Sequence, residues 1–200
     1  MQTPAIILAA GASRRLGRPK QLVQIEGETL LARTIRVVRA SGAGPVVTVL
    51  GANHEIIRGA VDFNGVYPII NPNWEQGIAT SIQSGVSGVL RLVPDAGAVM
   101  ILACDQPRLE AGHLRSLVAA QEQTVEPAII ASQYSGVAGI PAIFPASQFS
   151  NLMALRGDVG AKQIIRNPTC PMITIHLAEG EFDVDTRADL ARLESTTLQK

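Results

Sequence analysis

Short unbroken apolar runs alternate along the chain with longer segments whose apolar residues recur at helical spacing. Residues 5–10 form the first run, which stops at Gly11. A run of this length with no polar interruption predicts a strand buried on both faces. Further strands are predicted over 45–50, 66–70, 98–103, 128–131, 140–144 and 172–176. A helix is predicted over 29–40, where Leu30, Leu31, Thr34, Val37 and Val38 share a face. Another is predicted over 77–90, carried by Ile78, Ile82, Val86 and Val89. The same spacing places helices over 109–123, 147–155, 161–166 and 187–193, and Asn53 is positioned to cap a short one. Ser41-Gly42-Ala43-Gly44 and Asn71-Pro72 punctuate the pattern.

Strand and helix alternate from end to end. That order predicts an α/β fold: one doubly wound, mostly parallel sheet with helices on both faces, formed by residues 1–200 as a single domain. Ligands of such sheets bind beyond the carboxyl ends of the strands. The loops after Ala10, Leu50, Ile70 and Ala103 are therefore where chemistry is expected.

Composition narrows the classes. The chain has 200 residues, and 17 Lys and Arg balance 17 Asp and Glu. A neutral chain has no global field to draw nucleic acid or an anionic membrane, so any anion site must be local. Aromatics make up only 4% of residues, so the core is expected from Ala, Val, Ile and Leu. The two cysteines, Cys104 and Cys170, lie far apart, which argues against a disulfide scaffold or a structural zinc site. No signal peptide and no membrane-length apolar run is read, and a cytoplasmic setting is expected.

The loop after the first strand reads Leu8-Ala9-Ala10-Gly11-Ala12-Ser13-Arg14-Arg15-Leu16-Gly17-Arg18-Pro19-Lys20. Gly11 lets the chain turn sharply out of the sheet, and the small residues around it let backbone approach a ligand. Successive N–H groups in such a turn form an anion nest. Arg14, Arg15, Arg18 and Lys20 concentrate positive charge beside it, which suits phosphates. The spacing fits neither the Walker loop nor the dinucleotide fingerprint. It resembles the signature of the MobA-like nucleotidyltransferases, and within them the molybdenum cofactor cytidylyltransferases. That resemblance implies a Rossmann-like nucleotidyltransferase fold. It also implies a nucleotide site on Leu8, Ala9, Ala10, Gly11, Ala12, Ser13 and Lys20, with Arg15 and Lys20 as catalytic contacts to the phosphates. The Ala-Ala-Gly form is similar to the cytidylyl branch, so CTP is the expected nucleotide.

Asp105 follows the apolar run 98–103 and so faces the ligand crevice, with Pro107 stiffening the turn. Magnesium prefers one or two carboxylates plus phosphate oxygens, which makes Asp105 a candidate ligand and catalytic residue. The competing reading is an Asp that caps the next helix. Asp183-Val184-Asp185-Thr186 offers further carboxylates, and the resemblance assigns Asp185 as the second magnesium ligand. On residues alone, Asp185 or Thr186 reads first as the cap of the last helix. Cys104 reads as a small buried hydrophobe, and His54, His113 and His176 as isolated structural or surface residues.

After the third strand, Asn71, Asn73, Thr80 and Ser81 suit a base edge or ribose, and Gly77 opens a helix whose N-terminus can face an anion. The stretch resembles the family's, which places Asn71 and Ser81 at the nucleotide. Trp74 is equally a packing or a stacking residue. Gly139-Ile140-Pro141 and Arg156–Lys162 match family segments that shape an acceptor pocket, although the family's His is absent beside Gly139. The expected activity is transfer of CMP from CTP to a phosphorylated acceptor, molybdopterin by resemblance, with release of pyrophosphate. The alternatives are a sugar-phosphate acceptor or a non-catalytic nucleotide-binding subunit with a molybdoenzyme as partner.

Overall fold

The structure is a computed structural model that describes residues 2–197, with side chains through 193. Its elements run β1 (Ala5–Ala9), β2 (Gln24–Ile25), β3 (Glu28–Thr29), α1 (Leu30–Ser41), β4 (Val46–Leu50), α2 (His54–Ala60) and β5 (Tyr67–Ile70). There follow α3 (Ile78–Leu92), β6 (Ala98–Ala103), α4 (Ala111–Gln123), β7 (Ile129–Tyr134) and β8 (Val137–Pro145). The last are α5 (Phe149–Ala154), α6 (Lys162–Arg166), β9 (Met172–His176) and α7 (Arg187–Thr197).

β1 is apolar throughout because it is paired on both edges and covered on both faces. β4 and β6 flank it in parallel, and the sheet runs β5-β4-β1-β6-β8-β7-β9. Only β8 is antiparallel to its neighbours, so the sheet is mostly parallel. Alternate residues of β1 face opposite ways. Ile7 packs with Leu31, Ile57 and Leu114 from α1, α2 and α4. Ile6 packs with Ile82, Leu152 and Ile164 from α3, α5 and α6. Helices on both faces are as the alternation predicts. Gly85 lets α3 lie close on the sheet, since a Cβ there would fall 2.5 Å from Ile6 Cγ2.

The differences from the predicted elements lie in short and antiparallel structure. Two hairpins go unread in the apolar pattern. β2 and β3 are joined through Glu26 and Gly27, both left-handed at φ 53° and 81°. β7 and β8 are longer than expected and turn through Ser135 and Gly136, at φ 48° and 76°. Both turns put φ > 0 at two central residues, the form that matches strand twist. The helix expected over 147–155 is a 3₁₀ turn, Ala146–Gln148, followed by α5. Asn53 does sit before α2, but in the left-handed region and without a side-chain cap bond. A smaller third core gathers Leu16, Val23, Ile25, Leu30, Val184 and Leu193 beside the loop after β1.

Candidate active site

The chain leaves β1 at Ala10 and folds the basic loop back over the strand ends. Ser13 is left-handed at φ 54°, and its C=O accepts the N–H groups of Leu16 and Gly17 at 3.0 and 3.1 Å. Its Oγ accepts the Lys20 N–H at 3.0 Å. Gln21, fully buried, donates Nε2 to the C=O of Ala9 at 2.7 Å and of Gly11 at 3.0 Å. It thereby ties both ends of the glycine turn together. Sequence reasoning misses Gln21, because a Gln between Lys20 and Leu22 carries no burial signal. Residues Leu8 to Arg14 with Lys20 and Gln21 form one wall of a cleft of about 460 Å³.

Lys20 is the point where three distant segments meet. Its Nζ donates to Asp105 Oδ2 at 2.5 Å and to Asp185 Oδ1 at 2.8 Å. Arg15, exposed, donates Nη2 to the other Asp185 oxygen at 2.8 Å. Burial disfavours the Lys20 ammonium, but the Asp105 and Asp185 carboxylates outweigh it and hold its pKa well above the ordinary value. Asp185 also feels burial, yet Lys20 and Arg15 keep its carboxyl below the usual range. Asp105 does not cap α4, which starts after Glu110. Thr186 takes the capping role at α7: Asp189 Oδ2 accepts its N–H at 2.8 Å and its Oγ1 at 2.7 Å. Asp185 is left to face Lys20. The oxygens of Asp105 and Asp185 converge on the Lys20 ammonium, so a hard divalent ion held by the same two carboxylates would have to displace it. Among the described residues no group of three or more His, Cys, Asp and Glu is gathered as a metal site. A magnesium held by these two carboxylates would therefore complete its shell from phosphate and water.

The loop after β5 supplies the opposite wall. Asn71 is buried and donates Nδ2 to Thr80 Oγ1 at 2.9 Å and Ser81 Oγ at 3.0 Å. Its Oδ1 accepts the Asn73 N–H at 3.0 Å. Asn71 thus shapes the loop from beneath, while Ser81, Trp74 and the start of α3 line the cleft. Gly77 holds φ 106°, and a Cβ there would collide with the backbone of Gly157. The Ala79 N–H donates to the Gly157 C=O at 3.1 Å, closing this loop on the segment from Arg156 to Lys162.

A second cleft, of about 470 Å³, adjoins the first and shares Asp105 with it. Gln106, Tyr134, Lys162, Arg166 and Asp183 line it. Lys162 Nζ lies 5.8 Å from the centre of the Tyr134 ring. Gly139 makes that stack possible, because a Cβ would sit 3.2 Å from Lys162 Cε and closer still to the tyrosine hydroxyl. Burial, then the charges of Asp105 and Asp185, push the Asp183 carboxyl up to about 7.

Two expectations about single residues fare differently. Burial and Asp105 push the Cys104 thiol up to about 12, so it is a core residue and not a thiolate. His113 and His176 are not isolated. His113 Nε2 lies 2.7 Å from the buried Ser132 Oγ, and its pKa is lowered to about 4 by burial, against a backbone hydrogen bond at His176.

A phosphate-sized loop and converging carboxylates at the strand ends of a mostly parallel sheet are the working parts of a nucleotidyltransferase. The chain belongs to the MobA-like NTP transferase domain family, which it matches over residues 5–172. It is 27% identical over 179 residues to the purine catabolism protein PucB of Bacillus subtilis, across 84% of this chain and 83% of PucB. It is 36% identical over 118 residues to the protein named probable molybdenum cofactor guanylyltransferase of Opitutus terrae, 56% of this chain but only 52% of that relative. In structure it is similar to Rv0371c of Mycobacterium tuberculosis, with TM-score 0.86 and 28% identity over 98% of this chain and 99% of that one. The manganese complex of Rv0371c superposes with TM-score 0.82 at 25% identity, over 98% and 100% of the two chains. Among the described residues no helix is long and apolar enough to cross a membrane.

Proposed function

We propose that this chain transfers CMP from CTP to the phosphate of molybdopterin, with magnesium held by Asp105 and Asp185. The observation that carries the reading is the pair of adjoining clefts with Asp105 in their common wall. One side offers the glycine turn, Lys20 and the N-terminus of α3 to a triphosphate. The other offers Lys162, Arg166 and Tyr134 to a phosphorylated ring system. Two substrates so placed meet at Asp105 as neighbours, and holding them together supplies much of the acceleration.

An oxygen of the acceptor phosphate forms a bond to the α-phosphorus of the nucleotide. The bond from that phosphorus to the bridging oxygen breaks, and the electron pair leaves with pyrophosphate. The attacking oxygen is already anionic, so no general base is needed. Charge builds on the α-phosphate oxygens, and in this reading Lys20 and Arg15 neutralise it. When bound, magnesium would lend further charge neutralisation to the phosphates. That Rv0371c forms a complex with manganese supports a divalent ion in this chain's chemistry. The Opitutus relative's name supports a molybdenum cofactor acceptor. CTP rests on Ala10, the small residue before Gly11, and is the part that the same relative's guanylyl name opposes.

The test is pyrophosphate release with magnesium, each of the four nucleoside triphosphates in turn, and either molybdopterin or a sugar 1-phosphate as acceptor. Release with CTP alone is expected. Release with GTP instead would keep the chemistry and overturn the base. Release only with sugar 1-phosphates would overturn the acceptor.

A further inference from the structure

The segment from Leu177 to Thr186 carries Asp183 and Asp185 into the site, yet it belongs to no strand or helix of the fold. Its own turns are slight: Gly180 N–H meets Leu177 C=O at 3.4 Å and Phe182 N–H meets Glu179 C=O at 3.2 Å. What grips it is the turn after β6, residue by residue. The Asp105 C=O accepts the Val184 N–H at 3.0 Å. Gln106, buried, donates Nε2 to the Gly180 C=O at 3.0 Å and to the Ile140 C=O at 3.4 Å. Arg108 pairs with Glu179, and its guanidinium lies over the Phe182 ring at 4.7 Å. One short turn thus holds the segment on both sides of Asp183, and the same turn presents Asp105.

We propose that Gln106 and Arg108 are positioning residues: they fix the Leu177–Thr186 segment so that Asp183 and Asp185 face Asp105 across the site. The inference rests on the proposed role of Asp185 as a metal-holding carboxylate. Val184 is fully buried in the small third core and anchors one point of the segment. Leu177, buried in the large core with its N–H on the Gln133 C=O at 2.9 Å, anchors the other end, and the contacts at Gly180, Glu179 and Phe182 fix the stretch between the two. Among the described residues, the hydrogen bonds and ion pairs of Gln106 and Arg108 go to Ile140, Gly180 and Glu179 and not to the glycine turn proposed to hold the nucleotide. Their loss should therefore act on the carboxylates and spare nucleotide binding. Groups that orient metal-holding residues typically change metal affinity or activity by about 10–100-fold.

The test compares wild type with Arg108→Ala, Gln106→Leu, and the charge reversal Arg108→Glu with Glu179→Arg. Three quantities are read on the full chain: hydrogen exchange of the peptide spanning 177–186, CTP affinity from Trp74 fluorescence, and Mn²⁺ affinity in the presence of CTP. Pyrophosphate release is read alongside. Arg108→Ala and Gln106→Leu should speed exchange in that peptide and weaken Mn²⁺ binding and turnover roughly tenfold. CTP affinity should stay within about twofold, the difference that separates positioning from general damage. The charge reversal should restore both exchange and Mn²⁺ affinity. Wild-type exchange in Arg108→Ala, or faster exchange with unchanged Mn²⁺ affinity, would overturn the proposal, as would CTP affinity lost in step. If wild type releases no pyrophosphate, the proposed transfer fails, while exchange and Mn²⁺ binding still decide the positioning role.

Discussion

Lys20 carries two demands that pull against each other. Its ammonium is largely withdrawn from water, which disfavours charge, and it bridges Asp105 and Asp185, which restores it. Removing either carboxylate leaves a charged group short of a partner in a place poorly served by water. Asp105→Ala is expected to lower turnover by about 10²–10³-fold, the usual loss for one aimed charge contact. Pyrophosphate release reads it, and near-normal release would remove Asp105 from the reaction. Gln21 makes a different prediction. Gln21→Leu keeps the volume but leaves the Ala9 and Gly11 carbonyls without their donor. Buried unpaired groups cost about 1–3 kcal/mol each, so the melting temperature should fall and the KM for nucleotide rise together. A variant with normal KM would show that the glycine turn keeps its shape unaided. The contrast bears on what a sequence discloses. Lys20, Asp105 and Asp185 announce themselves by charge and by the motifs around them. Gln21 and Arg108 do not, since their work is defined by partners found only in the folded chain, 71 residues away for Arg108 and Glu179.

At the scale of elements, the central parallel strands are legible because burial on both faces forbids polar interruption. β1, β4 and β6 follow from that rule nearly residue for residue. The antiparallel pieces escape it. β2 and β3 are two residues each, so neither has an apolar run to betray it, whereas β9, parallel to β7 and largely exposed, is still read at its own bounds. The loops obey sharper rules than their composition suggests, and Gly77 is the clearest case. Gly77→Ala places a side chain at φ 106° and drives a Cβ into the backbone of Gly157. A non-glycine residue at such an angle costs more than about 1 kcal/mol before the collision is counted. The two loops should part, and nucleotide affinity, read by Trp74 fluorescence, should fall more than stability does. Unchanged affinity would mean that the contact with Gly157 does not shape the cleft.

For the whole molecule, stability depends on pH through His113. Its folded pKa of about 4 lies below the ordinary 6.5. Between those values the unfolded chain binds a proton that the folded chain refuses, so stability falls as pH falls through that window. Above 6.5 both forms are neutral and the histidine contributes no slope. Asp183, raised to about 7, works in the opposite sense over an overlapping range, so the difference between two proteins is the useful quantity. His113→Asn should be less stable than wild type at pH 7.5, and the gap should narrow toward pH 4. Urea unfolding at several pH values reads it. A gap independent of pH would show that His113 is reached by water after all.

The common wall between the clefts has one more consequence. Leu8, Ile78, Ala103, Asp105 and Asp158 line both. Substrates that arrive separately would leave as one molecule, long enough to lie in both halves at once. A ligand with two attached halves binds far more tightly than either alone, because each half keeps the other at high local concentration. If the proposed transfer holds, product release and not joining is expected to set the pace, and a burst of pyrophosphate before the steady state would read it.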